Sequence, residues 1–340
     1  MLARKRQAVC PPSRPRQQRQ LRLQRLNLLL PLLRRQSLNF AVIARAERSN
    51  HFKRQVAIAA CLLFFVAVAT TGYCQSKTYR PPPNYVQFGK PDQAEGRRII
   101  EDFRLRGLPS GLYLEFELQV MPRRGDGRTI PARLWVGHNE SGPIWRLELA
   151  PADASAQRRL LVQNGPQSAL WSWRPGAAVE HLGIDALFER LADTDLTAFD
   201  LQMPFIFWND FVFEGVARIR GRPAHVFLMY PPSEVSAKKP ELTGVRVYLD
   251  TQFNALVQAE QIGAQDSLLK SMTILDLKKV DEQWIPKSTD FRDDETRNKT
   301  RFAVTGAALG LDFLPTLFDP VSLADVVTPP PASRIRIVGP

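Results

Sequence analysis

Tyr113-Leu114-Glu115-Phe116-Glu117-Leu118-Gln119-Val120 is the stretch whose reading decides the fold. Leu114, Phe116, Leu118 and Val120 alternate with Glu115, Glu117 and Gln119, a period of two that suits a strand and not a helix. One face seeks a core and the other tolerates water, which is the pattern of a half-exposed antiparallel strand. Downstream, Gly125-Asp126-Gly127 signals a turn, and Ile130, Ala132, Leu134 and Val136 continue the alternation. Trp145, Leu147 and Leu149, alternating with Arg146 and Glu148, make a third strand. Further strands are expected over 160–163, 169–173, 211–219, 224–230, 245–250, 256–262, 272–280, 284–291 and 299–305.

Helices are few. The spacing of Ala94, Ile99, Ile100 and Phe103, with Asp92 as cap and Gly107 as stop, predicts a helix over 92–106. Residues 185–191 read as a second helix, followed by the apolar run 201–213, and a short helix or tight turn is expected at 319–324. A sheet this large, with so little helix to cover it, must curl on itself or leave a trough. The predicted class is mainly β (α+β): a strongly curved, unclosed antiparallel β-barrel with a few helices as a lid. Its apolar inner wall is expected to be left partly unfilled.

Charge and cysteine divide the chain. Of its 46 basic and 34 acidic residues, 14 and one fall in residues 1–54, which leaves 32 against 33 in the remainder. The net charge of +12 therefore belongs to a leader, and the rest has no electrostatic reason to bind nucleic acid. The three cysteines are Cys10, Cys61 and Cys74, so residues 75–340 depend on no disulfide or thiolate site. Lys53-Arg54, the apolar run from Val56 to Ala69 and the small residues after it have the three parts of a secretory signal. The organisation read from this is a basic leader (1–52, disordered or an early start), a signal peptide (53–75) and a Pro-rich linker (76–91). A lipid-binding β domain (92–327) and a disordered tail (328–340) follow. A retained membrane anchor in place of a cleaved signal is the alternative.

The catalytic inventory is thin. His138, His181 and His225 are scattered, and no nucleophile elbow, phosphate loop or dinucleotide glycine motif occurs. Acidic clusters at Asp193/Asp195/Asp200 and Asp293/Asp294/Glu295 suit helix caps and an exposed hairpin tip better than metal binding. No enzyme, cofactor or metal site is expected. Aromatics carry more: Trp145, Trp171, Trp173, Phe205, Phe207, Trp208, Phe211 and Phe213 are the candidate lining of a lipid cavity or its covering flap. For any one of them, ordinary core packing is the competing reading.

In the second half, Asp195-Leu196, Asp200-Leu201 and Phe207-Trp208 are followed by Gly221-Arg222-Pro223-Ala224-His225-Val226-Phe227 and Pro231-Pro232. Then come Val245-Arg246-Val247-Tyr248-Leu249-Asp250, the stretch from Ala255 to Glu260, Trp284-Ile285-Pro286-Lys287, and a closing Phe318 and Leu323. This order resembles the outer-membrane lipoprotein-sorting proteins, the LolA-like periplasmic carriers, over about 180–325. The resemblance implies an unclosed barrel with a helical lid over a hydrophobic cavity, and a periplasmic role in carrying or sensing lipids or lipoproteins. It carries no catalytic signature and assigns no cavity residue. The partners implied are acyl chains, with an envelope protein as donor or acceptor, and a monomeric state is expected. An envelope interaction or sensory module on the same fold is the alternative function. The long leader, the linker and the tail depart from the family pattern.

Overall fold

The computed structural model describes residues 83–86, 89–106 and 111–339. The chain divides into units Met1–Ser76 and Lys77–Pro340, and every described residue lies in the second. The expected leader and signal peptide lie outside the described residues.

The alternation around Phe116 builds strand β1 (Leu112–Met121), and its neighbours follow as antiparallel ladders. In chain order they are β2 (Arg128–Asn139), β3 (Gly142–Leu149), β4 (Arg158–Gln163), β5 (Ala169–Trp173) and the two-residue β6 (Glu180–His181). After an insertion come β7 (Phe211–Ile219), β8 (Arg222–Met229), β9 (Gly244–Asp250), β10 (Leu256–Ile262), β11 (Leu268–Val280), β12 (Gln283–Asp293) and β13 (Lys299–Ala308). The sheet runs β6-β5-β4-β3-β2-β1-β13-β12-β11-β10-β9-β8-β7, so β1 and β13 zip two meanders together at its centre. Its ends, β6 and β7, do not pair with each other, and the barrel is unclosed. Leu170 of β5 and Phe213 of β7, near opposite ends of that order, nonetheless share one core, so the sheet is curled. Register shifts at Glu115/Phe116, Phe213/Gly215 and Ile274/Asp276 mark bulges, which sharpen strand bending.

Helix α1 (Gln93–Arg106) forms where the spacing places it, with the Asp92 carboxylate accepting from the Ala94 amide at 2.9 Å. Ile100 is its buried anchor. Gly96 lets it lie directly on β7, because a Cβ there would sit 2.4 Å from that of Phe213. The expected helix over 185–191 is instead two 3-10 turns, Ile184–Phe188 and Leu191–Asp193, with Ala192 at φ 48° inside the second. Seven residues without a side-chain cap do not repay helix nucleation, and burial of Leu187 and Leu191 sets the path. Helix α2 (Ala198–Gln202) has a full capping box between Thr197 and Asp200. Helix α3 (Ser233–Lys238), between β8 and β9, was not anticipated.

The tail is a second departure. Where disorder was expected over 328–340, Ala332–Arg334 forms a 3-10 turn and Arg336–Ile337 pairs with β13 as β14. The pairing of β12 with β13 ends at Ala303, which leaves Gly306 and Ala307 an open edge that β14 occupies. Val338 then turns into the main core at 3% exposure. Of the expected linker, residues 83–86 and 89–91 are described, and Tyr85 bridges Ala217 on the β7 edge.

The loop after β12 is structural. Asp293 accepts from the Thr296 amide (2.8 Å) and hydroxyl (3.0 Å) and from Arg190 (3.1 Å). Burial works to raise its carboxyl, but those donors outweigh it and hold it below the ordinary 3.8. A depressed folded value stabilises the fold above the unfolded pKa, and the gain is lost as pH falls through the folded one. Asp293→Asn is therefore expected to cost ~1 kcal/mol at pH 7, the scale of a lost cap. Urea unfolding at pH 7 and near pH 3 should show the two proteins converging at the acid end.

Candidate functional site

The concave face is lined by alternate residues of nearly every strand: Leu114, Phe116 and Leu118 from β1, Trp145 and Leu147 from β3, Val245 and Val247 from β9. Across it lies the insertion between β6 and β7, residues 184–208, as a lid. Leu187, Leu191, Leu196, Phe199, Phe205, Ile206 and Trp208 point into the same core. Phe199 is the hub, with ring centroids 4.9 Å from Phe188, 5.6 Å from Phe205 and 6.1 Å from Trp208.

Polar contacts fix the lid from beneath and from the rim. The buried Asp195 amide donates to the Thr300 hydroxyl at 2.9 Å, and that hydroxyl donates back to the Asp195 carboxylate at 3.0 Å. Asp200 pairs with Lys270, a buried ion pair on the concave wall, and accepts from the Gln261 amide at 3.0 Å. The Gln202 amide donates to the carbonyls of Gln163 and Ala169, each at 3.2 Å. From outside, Arg104 of α1 donates to the carbonyls of Ile206 (2.6 Å) and Trp208 (2.8 Å). Ala192, Asp193 and Met203 hold positive φ, so the lid's path is set by tertiary contacts rather than backbone preference.

Among the described residues, the space found between lid and wall is small. A cavity of about 10 Å³ beside Asp200, Phe205, Ala259, Gln261, Lys270 and Met272 holds about one water. Ligand pockets run to roughly 300–1,000 Å³. The expectation of a partly unfilled inner wall is thus overturned, because the lid's own aromatic side chains occupy that space.

Of the aromatic candidates, Trp145, Phe205, Trp208 and Phe213 are buried in the main core, and Phe207 and Phe211 pack against it. Trp171 and Trp173 do not join them. They lie opposite Leu161 and Arg159 across β4–β5, on the convex face, where they pack with Ile144, Leu161 and Leu323. They share one face of a strand, as their spacing implies, but which parity faces inward is set by β4, whose Leu160 and Val162 take the concave side. Phe188, Phe199 and Phe227 were missed. The Thr197-x-x-Asp200 capping box that places Phe199 was the available signal. Among the described residues, no group of three or more His, Cys, Asp or Glu is placed to hold a metal ion, and no helix is long and apolar enough to cross a membrane.

The sequence model of a family described as an uncharacterized protein matches residues 147–325, more than half of the chain. Comparison with curated proteins finds no match. A putative outer membrane lipoprotein-sorting protein domain from Vibrio parahaemolyticus superposes with a TM-score of 0.60 at 16% identity, covering 68% of this chain and 99% of that one. A DUF1329 family protein from Desulfovibrio piger gives 0.59 at 14%, covering 68% and 98%. A LolA superfamily protein from Nitrosomonas europaea gives 0.51 at 13%, covering 66% and 96%. At these identities the likeness is one of fold.

Proposed function

Because the chain belongs to the family of uncharacterized proteins matched over residues 147–325 and has the LolA-like fold, we propose that it handles acyl chains of lipids or lipoproteins in the periplasm. The chain enters where the lid now lies. The observation that carries this reading is the lid: an aromatic plug on an apolar concave wall, held by short 3-10 turns and a few polar latches. Each buried CH₂ contributes about 0.8 kcal/mol, so one acyl chain offsets much of the cost of displacing the plug. The signal-like segment 53–75 supports export.

The small space between lid and wall also favours a second reading, an envelope interaction or sensory module that binds protein and takes up no lipid. A locked lid separates the two. The Thr300 hydroxyl meets the Asp195 amide, so Asp195→Cys with Thr300→Cys joins lid to wall, and no natural cysteine lies beyond Cys74 to interfere. A fluorescent hexadecanoic acid analogue is expected to bind the reduced form with ~1:1 stoichiometry, lose binding on oxidation, and regain it with reductant. Uptake by neither the wild type nor the reduced variant would eliminate the acyl reading in favour of the second. Equal uptake in both redox states would eliminate the moving lid.

A further inference from the structure

On the β3–β4 side of the concave wall, two buried polar atoms have no protein partner: the indole Nε1 of Trp145 and the side-chain oxygen of Asn164. Both residues are more than nine-tenths buried, at 7% and 5% exposure. They are neighbours by register. Trp145 lies opposite Val162 on β4, and the Asn164 amide continues that ladder by donating to Pro143 at 2.8 Å. The alternation that turns Leu160 and Val162 inward therefore turns Asn164 to the same face, diagonal to Trp145. The lid closes over this corner, where Gln202 reaches the carbonyls of Gln163 and Ala169.

An unpaired donor and an unpaired acceptor at diagonal positions on one sheet face are costly in a core, and a purely apolar wall would have used neither. The other unpartnered atoms among the described residues are away from this corner: the Nε atoms of Arg146 and Arg159 belong to guanidiniums already bound on the convex face, His225 Nδ1 lies on β8 beside Phe213, and Asn254 Oδ1 lies between β9 and β10. Resting on the acyl-binding reading above, we propose that Trp145 and Asn164 form a polar subsite for the amide that links an acyl chain to its carrier group. The indole N–H donates to the amide carbonyl, and the Asn164 oxygen accepts from the amide N–H. The rest of the concave wall takes the hydrocarbon.

The test compares N-hexadecanoyl-ethanolamine with the matching alkyl ether, which keeps the chain and terminal hydroxyl but lacks the carbonyl and N–H. Displacement of a fluorescent fatty acid from the purified protein should show the amide about tenfold tighter. Trp145→Phe and, independently, Asn164→Leu should bring the two ligands within about twofold of each other, mainly by weakening the amide. Asn164→Leu keeps the experiment decisive if the smaller ring at 145 loosens the core. Equal affinity of the two ligands for the wild-type protein would overturn the subsite while leaving acyl binding intact. A preference that survives in both variants would overturn it as well. Binding of neither ligand would remove the acyl reading and the subsite with it.

Discussion

Asp200→Ala is expected to destabilise the protein by about 3–5 kcal/mol, the cost of leaving a buried charge without its partner. Lys270 has a side chain only 11% exposed, so its ammonium cannot turn to water when the carboxylate is removed. Three further donors, the Gln261 side-chain amide and the Thr197 amide and hydroxyl, lose their acceptor at the same time. The Gln261 amide donates to Asp200, and Asp200 closes the capping box by accepting from the Thr197 amide at 2.8 Å. The double replacement Asp200→Leu with Lys270→Met should fall within about 1–2 kcal/mol of wild type, because apolar groups of similar size often replace a buried pair at little cost. Urea unfolding of the two single variants and the double variant completes the cycle. A single-variant loss below about 1 kcal/mol would mean that the pair does not hold the lid. If the pair sets lid position rather than net stability, the double variant should keep its unfolding midpoint while the amides of α2 exchange faster. It should also take up fatty acid more readily.

The strands were legible because a sheet with one dry face repeats its chemistry every second residue. Ala169–Trp173, Phe211–Ile219 and Leu256–Ile262 follow from that alternation alone. The lid was legible only as apolar composition. Its path depends on contacts more than sixty residues away in sequence, such as Asp195 with Thr300 and Asp200 with Lys270, and no local pattern encodes them. Whether the inner wall would be empty was equally hidden, since filling depends on which side chains the lid delivers. The tail misled for a related reason. Thr328-Pro329-Pro330-Pro331 reads as unstructured by composition, yet proline's fixed φ suits an extended strap across a sheet. This strap is residues 309–335 over the convex face, and the arginine that anchors it at Ser322 and Asp325 looks like an ordinary outward-facing strand residue. Arg146, between Trp145 and Leu147, has the parity of a solvent-facing charge, but its exposure is 0%.

Arg146→Leu is the second large effect, and it lies on the opposite face from the lid. The guanidinium donates to the carbonyls of Ser322 (3.0 Å) and Asp325 (2.6 Å) and to the Glu148 carboxylate (3.3 Å). Burial lowers its proton affinity, and Glu148 opposes that shift. Arg159 reinforces the clamp by donating to Ala324 at 2.5 Å, with its guanidinium 4.3 Å from the Trp173 ring centroid. Under the strap lie Tyr113, Trp135, Ile144 and Leu161, which would form an exposed apolar patch without it. Removing Arg146 leaves Glu148 the longer contact to Arg159 (3.6 Å) and takes the donor from several carbonyls, so a loss of about 3–5 kcal/mol is expected. Because the strap crosses one face only, the damage should begin locally: faster proteolysis within 309–335 and increased binding of a hydrophobic dye. Fatty-acid uptake on the concave face should stay at the wild-type level at temperatures where the variant remains folded. Loss of uptake in step with strap release would instead mean that the two faces open together, and that the lid is not an independent element.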